Sequence, residues 1–187
     1  MIDFGHGIGL LLLNKDKDAN DAIECRNDYR IWKWCRQNDL LSLDNHYSWF
    51  DKIKNDPTIK MYKITPSGDP NDVGEWLLGV CGLTDIDRVN QRAEFSLYID
   101  PEMQRQGYAK AALKTLLSHG FMNQNLNVIW GETFEGNPAY DMFLKLGMKH
   151  EGTRRQFYFK EGRHIDAHLI SMTRQEYMEA PWRQSQV

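Results

Sequence analysis

The residues best suited to hold a ligand lie in the stretch LYIDPEMQRQGYAKAALKTLLSH, from Leu97 to His119. Its centre is Gln104-Arg105-Gln106-Gly107-Tyr108-Ala109, a loop that runs into a helix. Ala109, Ala112, Leu113, Leu116 and Leu117 recur at helical spacing, which predicts a helix from about Gly107 to about Gly120. The first turn of a helix carries unpaired N–H groups and the positive end of the peptide dipoles, so it attracts anions. With hydrogen at Gly107 and a methyl at Ala109, a pyrophosphate can approach this backbone closely. A lone glycine here would be no more than a loop breaker. The order of parts, strand then loop then alanine-rich helix, favours the ligand.

The elements around this loop follow from periodicity. Phe95, Leu97 and Ile99 alternate with Glu94, Ser96 and Tyr98, the two-residue period of a half-buried strand, and Asp100-Pro101 ends it because proline has no N–H to donate. Upstream, Ile8 to Leu13 reads as a first buried strand, Asp16 to Asp28 as a polar helix and Tyr29 to Cys35 as an aromatic turn of helix. A further helix starts at Ser42 and carries His46, Trp49, Phe50 and Ile53 on one face. Ile59 to Thr65 and Trp76 to Thr84 read as antiparallel strands joined by the turn SGDPNDVGE, with Arg92 to Asp100 completing a meander. Downstream lie a strand from Asn127 to Thr133, a helix opened by Asn137-Pro138 and ended by Gly147, and a hairpin of Thr153 to Phe159 with Asp166 to Met172. The last residues, APWRQSQV, are expected to fray.

At 187 residues the chain suits one domain, 1–187 with a core of about 8–177. A formal charge of −3 with dispersed Lys and Arg gives no footprint for nucleic acid or an anionic membrane. Cys25, Cys35 and Cys81 share no metal or redox spacing, and three scattered cysteines without a signal peptide point to reduced thiols and a cytoplasmic location. The apolar run at Ile8 to Leu13 is too short to span a bilayer. His150, His164 and His168 form no ligand constellation, so no metal is expected.

The Q-R-x-G-x-A loop, set between a strand ending in Asp-Pro and an alanine-rich helix, resembles the acetyl-CoA pyrophosphate loop of the GNAT superfamily of N-acetyltransferases. The resemblance extends from Leu10 to Tyr177. The closing GMKHEGTRRQFYFKEGRHIDAHLISMTRQEY looks like the branch that acetylates ribosomal-protein N-termini. Arg26-Asn27-Asp28, Trp34 and His46 look instead like relatives that acetylate nucleotide-linked amino sugars.

This resemblance implies an α/β (α+β) GNAT fold, a mixed, mostly antiparallel splayed sheet of six to seven strands flanked by helices. The strands Glu94 to Asp100 and Asn127 to Thr133 should part, with pantetheine in the gap, main-chain groups of Leu97, Tyr98 and Ile99 pairing with it, and Gln104 to Ala109 on the pyrophosphate. Asn137 would meet the cofactor as well as cap its helix. Attack on a thioester needs a neutral amine, so a carboxylate must take its proton, and Glu94 and Glu132 are both placed to do so. Each could equally be a solvated or ion-paired strand residue. Phe143 stands where the family places a tyrosine that protonates the departing thiolate, and is read as a wall of the pantetheine channel; Tyr140 lies one turn earlier. Trp34 and His46 are acceptor-side candidates, with core packing as the plainer reading of both. The implied partners are acetyl-CoA and an amine acceptor, and a homodimer stays open. The acceptor is a protein N-terminus or a nucleotide-linked amino sugar, with a polyamine or antibiotic as the small-molecule alternative. A non-catalytic acyl-CoA-binding module is the competing class.

Overall fold

The computed structural model describes residues 1–67 and 77–184. Eight strands form one sheet: β1 (Ile2–Asp3), β2 (Ile8–Leu12), β3 (Lys60–Pro66), β4 (Gly79–Asp87), β5 (Arg92–Ile99), β6 (Val128–Phe134), β7 (Lys149–Lys160) and β8 (Arg163–Thr173). Their order is β1-β2-β3-β4-β5-β6-β8-β7. The extra strand beyond the expected six to seven is β1, which pairs Ile2 with Leu10 and Asp3 with Gly9. Two residues are too few for a periodicity to declare itself. Every neighbouring pair is antiparallel except β5 and β6, which run parallel and pair only at Arg92–Val128, Ala93–Ile129 and Glu94–Trp130. Beyond Glu94 they part, and the sheet is splayed as the sequence suggested.

Helices cover both faces, and the alternation of strand residues shows which. Tyr62, Ile64, Cys81, Leu83 and Phe95 pack in the main core with Leu113, Leu116 and Leu117 of α4 (Tyr108–Ser118). Their strand neighbours Met61 and Val80 face the other way, onto Ala22 of α1 (Lys15–Asn27) and Trp49 and Ile53 of α3 (Leu43–Asn55). Asn14 caps α1 by accepting from the N–H groups of Asp16 and Lys17, and Ser42 caps α3 by accepting from Asn45. Between them α2 (Tyr29–Trp32) starts at Asp28, which accepts from Arg30 N. A buried Lys63–Asp18 ion pair at 3.0 Å ties α1 to the sheet. The next helix, α5 (Ala139–Lys145), ends in a turn where Gly147 takes φ +97°, a conformation that favours glycine.

Two local expectations change. The turn SGDPNDVGE and Trp76 lie outside the described residues apart from Ser67, and β4 begins at Gly79. The terminal segment does not fray through Gln184: α6 (Arg174–Glu179) carries a capping box from Thr173 and Glu176, and α7 (Pro181–Gln184) follows. Trp182 anchors that end by donating its Nε1–H to Leu146 O at 2.9 Å.

His46 is buried on α3, stacked on Trp49 and edge-on to Phe50. Burial, reinforced by the nearby Arg26 charge, lowers its pKa below the ordinary 6.5, so the fold holds it neutral. The unfolded chain then binds the extra proton first, and the stability that His46 contributes above pH 6.5 is lost as pH falls through its depressed folded value. Urea unfolding should show stability declining from pH 7 to pH 5, with a shallower decline in His46→Leu; equal slopes for the two proteins would contradict this.

Candidate active site

The fork between β5 and β6 is built by main chain. Asp100 N donates to Leu78 O at 2.9 Å on the β4 side, while Gln91 O accepts from Asn127 N and Val128 N on the β6 side. Successive residues of a strand turn their peptide groups to opposite edges. Residues 94, 96 and 98 therefore bond to β4, and Leu97 and Ile99 turn their N–H and C=O groups across the gap that β6 has left. Ile99 O accepts there from Gln104 Nε2 at 3.2 Å. Tyr98 departs from the expectation for its neighbours: its peptide faces β4, and it lines the cleft through the side chain.

The cleft that passes through this fork has a volume of about 710 Å³. Glu94 and Trp130 are partners and share a face, so Glu94, Tyr98, Glu132 and Phe134 look toward α1–α3, while Phe95, Gly131 and Thr133 look toward α4 and α5. On the α4 side, Gln104, Arg105, Gly107 and Ala109 line the cleft. Gly107 sits at φ +90° ahead of α4, which has no side-chain cap, and a Cβ built on it meets no atom within 4 Å. Open space over uncapped N–H groups fits the pyrophosphate of coenzyme A. Gln106 is exposed and folds back on Glu102 O, and Tyr108 packs against the core, so neither lines the cleft.

Asn137 also lines it; Pro138 rather than Asn137 is the N-cap of α5, and Asn137 Oδ1 accepts from Ala139 N at 3.0 Å, so the side-chain oxygen is already engaged. Phe143 is buried edge-on against Phe95, with ring centroids 5.2 Å apart, and forms a wall. The phenol of Tyr140 pairs with His150 Nδ1 at 3.0 Å, and its ring lies against His168, away from the cleft lining.

On the opposite face, Glu94 and Glu132 flank the point where the strands part. Their side chains are 8% and 2% exposed, yet one guanidinium, Arg36, reaches in from the loop after α2 to bridge both. Arg36 binds Glu94 through two nitrogens, and its Nη2 lies 3.3 Å from Glu132 Oε2. Burial opposes the Arg36 charge, but the Glu94 hydrogen bond and charge prevail and raise its pKa. Glu132 is held further by Arg154 Nη1 at 3.0 Å and by the Tyr158 hydroxyl at 2.7 Å. Burial first, and then that bond to Glu132, push the Tyr158 phenol up to about 12, so it stays a donor. Trp34 lines this side of the cleft; His46 lies outside the lining, between Trp49 and Phe50. Arg26 lines the cleft with its guanidinium over the Tyr98 ring and bonded to Gln37 Oε1, and among the described residues no carboxylate pairs with it. Arg36, Arg154 and Tyr158 carry no local motif, and their role shows only once β7 and the α2 loop fold over the fork.

A family model described as an acetyltransferase (GNAT) domain matches residues 9–149. The uncharacterized N-acetyltransferase p20 of Bacillus licheniformis is 31% identical over 102 residues, which cover 54% of this chain and 57% of that protein. The spermidine N(1)-acetyltransferase of Escherichia coli K12 is 27% identical over 130 residues, 69% of this chain and 66% of that one. The chain thus spans between half and two-thirds of the length of these curated relatives. The crystal structure of spermidine N-acetyltransferase from Vibrio cholerae in complex with CoA and spermine shares the fold, with a TM-score of 0.84 over 92% of this chain and 98% of that chain at 22% identity. With the family model spanning most of its length, this chain belongs to the GNAT acetyltransferase family.

Proposed function

We propose that the protein transfers the acetyl group of acetyl-CoA to a primary amine, with the attack taking place at the fork. The observation that carries this reading is the cation held between Glu94 and Glu132 at the point where β5 and β6 part. A subsite that accepts a guanidinium between two buried carboxylates also accepts a substrate ammonium. Acetyl-CoA would supply the electrophilic thioester carbon and a leaving thiolate. Leu97, through its N–H and C=O, and Ile99, through its N–H, would align it, and the N-terminus of α4 would hold its phosphates.

The two carboxylates divide the work. Glu132 already accepts from Arg154 and Tyr158 and is ion-paired with Arg36, whereas the Glu94 side chain has Arg36 as its hydrogen-bond partner. Once the incoming amine displaces Arg36, Glu94 has free lone pairs and takes the ammonium proton, and Glu132 stays locked as the anchor. No phenol is needed at Phe143, because a thiol with a pKa of about 8.5 leaves adequately as thiolate.

For the acceptor, charge favours an amine that also carries an anion, such as a nucleotide-linked amino sugar. Arg26 is a half-buried cation on the acceptor side without a carboxylate partner among the described residues, and burial lowers its pKa, so an anionic group there would relieve it. Polyamines are the second reading, favoured by the names of the Escherichia coli and Vibrio cholerae relatives; a polycation would have to sit beside Arg26 and Arg36. A protein N-terminus, suggested by the closing segment, is the third.

Coenzyme A should raise the melting temperature of the protein, since ligand at a hundredfold excess over Kd adds about 2.7 kcal/mol. Gly107→Val, which puts a branched side chain over the helix N-terminus, should lose that shift relative to its own ligand-free melt, which the strain of a β-branched residue at φ +90° lowers; a preserved shift would contradict the cradle. Thiol release from acetyl-CoA, followed across nucleotide-linked amino sugars, spermidine and short peptides, tests the reaction itself. Nucleotide-linked amino sugars are expected to be fastest, with Glu94→Gln slower by roughly 10² to 10⁴ and Glu132→Gln affected mainly in KM. Faster turnover of spermidine overturns the acceptor, and coenzyme A binding without thiol release for any amine makes the protein a binding module.

A further inference from the structure

Thr133 is 4% exposed, its Oγ1 has no hydrogen-bond partner among the described residues, and it lines the cleft. Trp32 Nε1, Gln37 Nε2, His46 Nε2 and Thr115 Oγ1 are also buried without partners, but none of those residues lines the cleft. A buried hydroxyl without a partner works against folding, and a valine of nearly the same shape would avoid the penalty. Its position makes the orphan meaningful. Thr133 shares a face of β6 with Gly131, where Phe95 packs so closely that a Cβ on Gly131 would run into the ring. Phe95 in turn packs on Phe143. Thr133 therefore stands on the cofactor side of β6, between Gly131 under the Phe95 ring and, across the pairing with β8, His168. The phenol that α5 does carry, on Tyr140, is engaged with His150.

We propose that Thr133 is the hydrogen-bond donor to the sulfur of the bound acyl-pantetheine, an inference that rests on the acyl-CoA reading of the cleft. The amine nitrogen bonds to the acyl carbon, the carbon–sulfur bond breaks, and the electron pair goes to sulfur. Thr133 Oγ1–H donates to that sulfur as charge builds and keeps its proton, because an aliphatic hydroxyl is a far weaker acid than a thiol. The thiolate then takes a proton from solvent. A buried donor fixed in place favours the developing anion more than it favours the neutral thioester.

The test compares the binding of coenzyme A and of desulfo-coenzyme A, in which hydrogen replaces the thiol, to the parent, Thr133→Val and Thr133→Ser proteins, with turnover measured on the same preparations. The Val variant should melt at or above the parent temperature, bind coenzyme A on the order of tenfold more weakly and desulfo-coenzyme A equally well, and lose a similar factor in kcat. The Ser variant should restore both. If Thr133→Val leaves coenzyme A affinity and kcat unchanged, or weakens both ligands equally, the hydroxyl does not serve the sulfur. If the parent binds neither ligand, the acyl-CoA reading falls and this assignment with it.

Discussion

The parallel pairing of β5 with β6 stops after three residue pairs, and the site depends on that interruption. Each strand survives the break because its other edge is fully engaged, β5 with β4 and β6 with β8. Just past the last pair, Phe95 packs its ring where a side chain on Gly131 would stand. What remains is a short edge of peptide groups, at Leu97 and Ile99, that no strand covers. Buried peptide groups need partners, so such an edge calls for water or for an extended ligand with amides of its own. Pantetheine is a ligand of that kind.

The fork also separates two environments. Toward α4 and α5 the cleft is bounded by Phe95, Phe143 and Thr133 and ends at the uncapped helix N-terminus. Toward the other face it is charged, with Glu94, Glu132, Arg36 and Arg26 around the mouth. A group lying through the fork would have its phosphates on one side and its reacting end at the carboxylates on the other. Arg36 balances the two acids without a substrate. Its side chain is 47% exposed against their few per cent, so it is the partner free to leave.

Much of this was legible in the sequence, for local reasons. Gly107, Ala109 and the helix behind them read as a helix N-terminus open to an anion once the order of parts and the resemblance of the loop are added, and Asn137-Pro138 reads as a helix start. Glu94 and Glu132 could be picked out, with the offset from Asn137 leaning toward Glu132, but the surroundings that tell them apart, Arg36, Arg154 and Tyr158, arrive from distant segments and carry no motif. Tyr98 could have been separated from Leu97 and Ile99 by the two-residue alternation of peptide groups, a signal present in the sequence once the register is known. His46 has the helical spacing of a site residue, yet the same spacing places it between Trp49 and Phe50, and packing took it. Thr133 had no sequence signal, since an unpartnered hydroxyl exists only once its surroundings are closed.

Residue-resolved amide hydrogen exchange on β5 tests the central claim most directly. In the free protein the N–H groups of Leu97 and Ile99, facing the gap, should exchange much faster than that of Tyr98, which is bonded to β4. Saturating coenzyme A should slow Leu97, Ile99 or both by at least tenfold while leaving Tyr98 nearly unchanged. Exchange at Leu97 and Ile99 that is already as slow as at Tyr98, or that coenzyme A does not alter, would contradict the account.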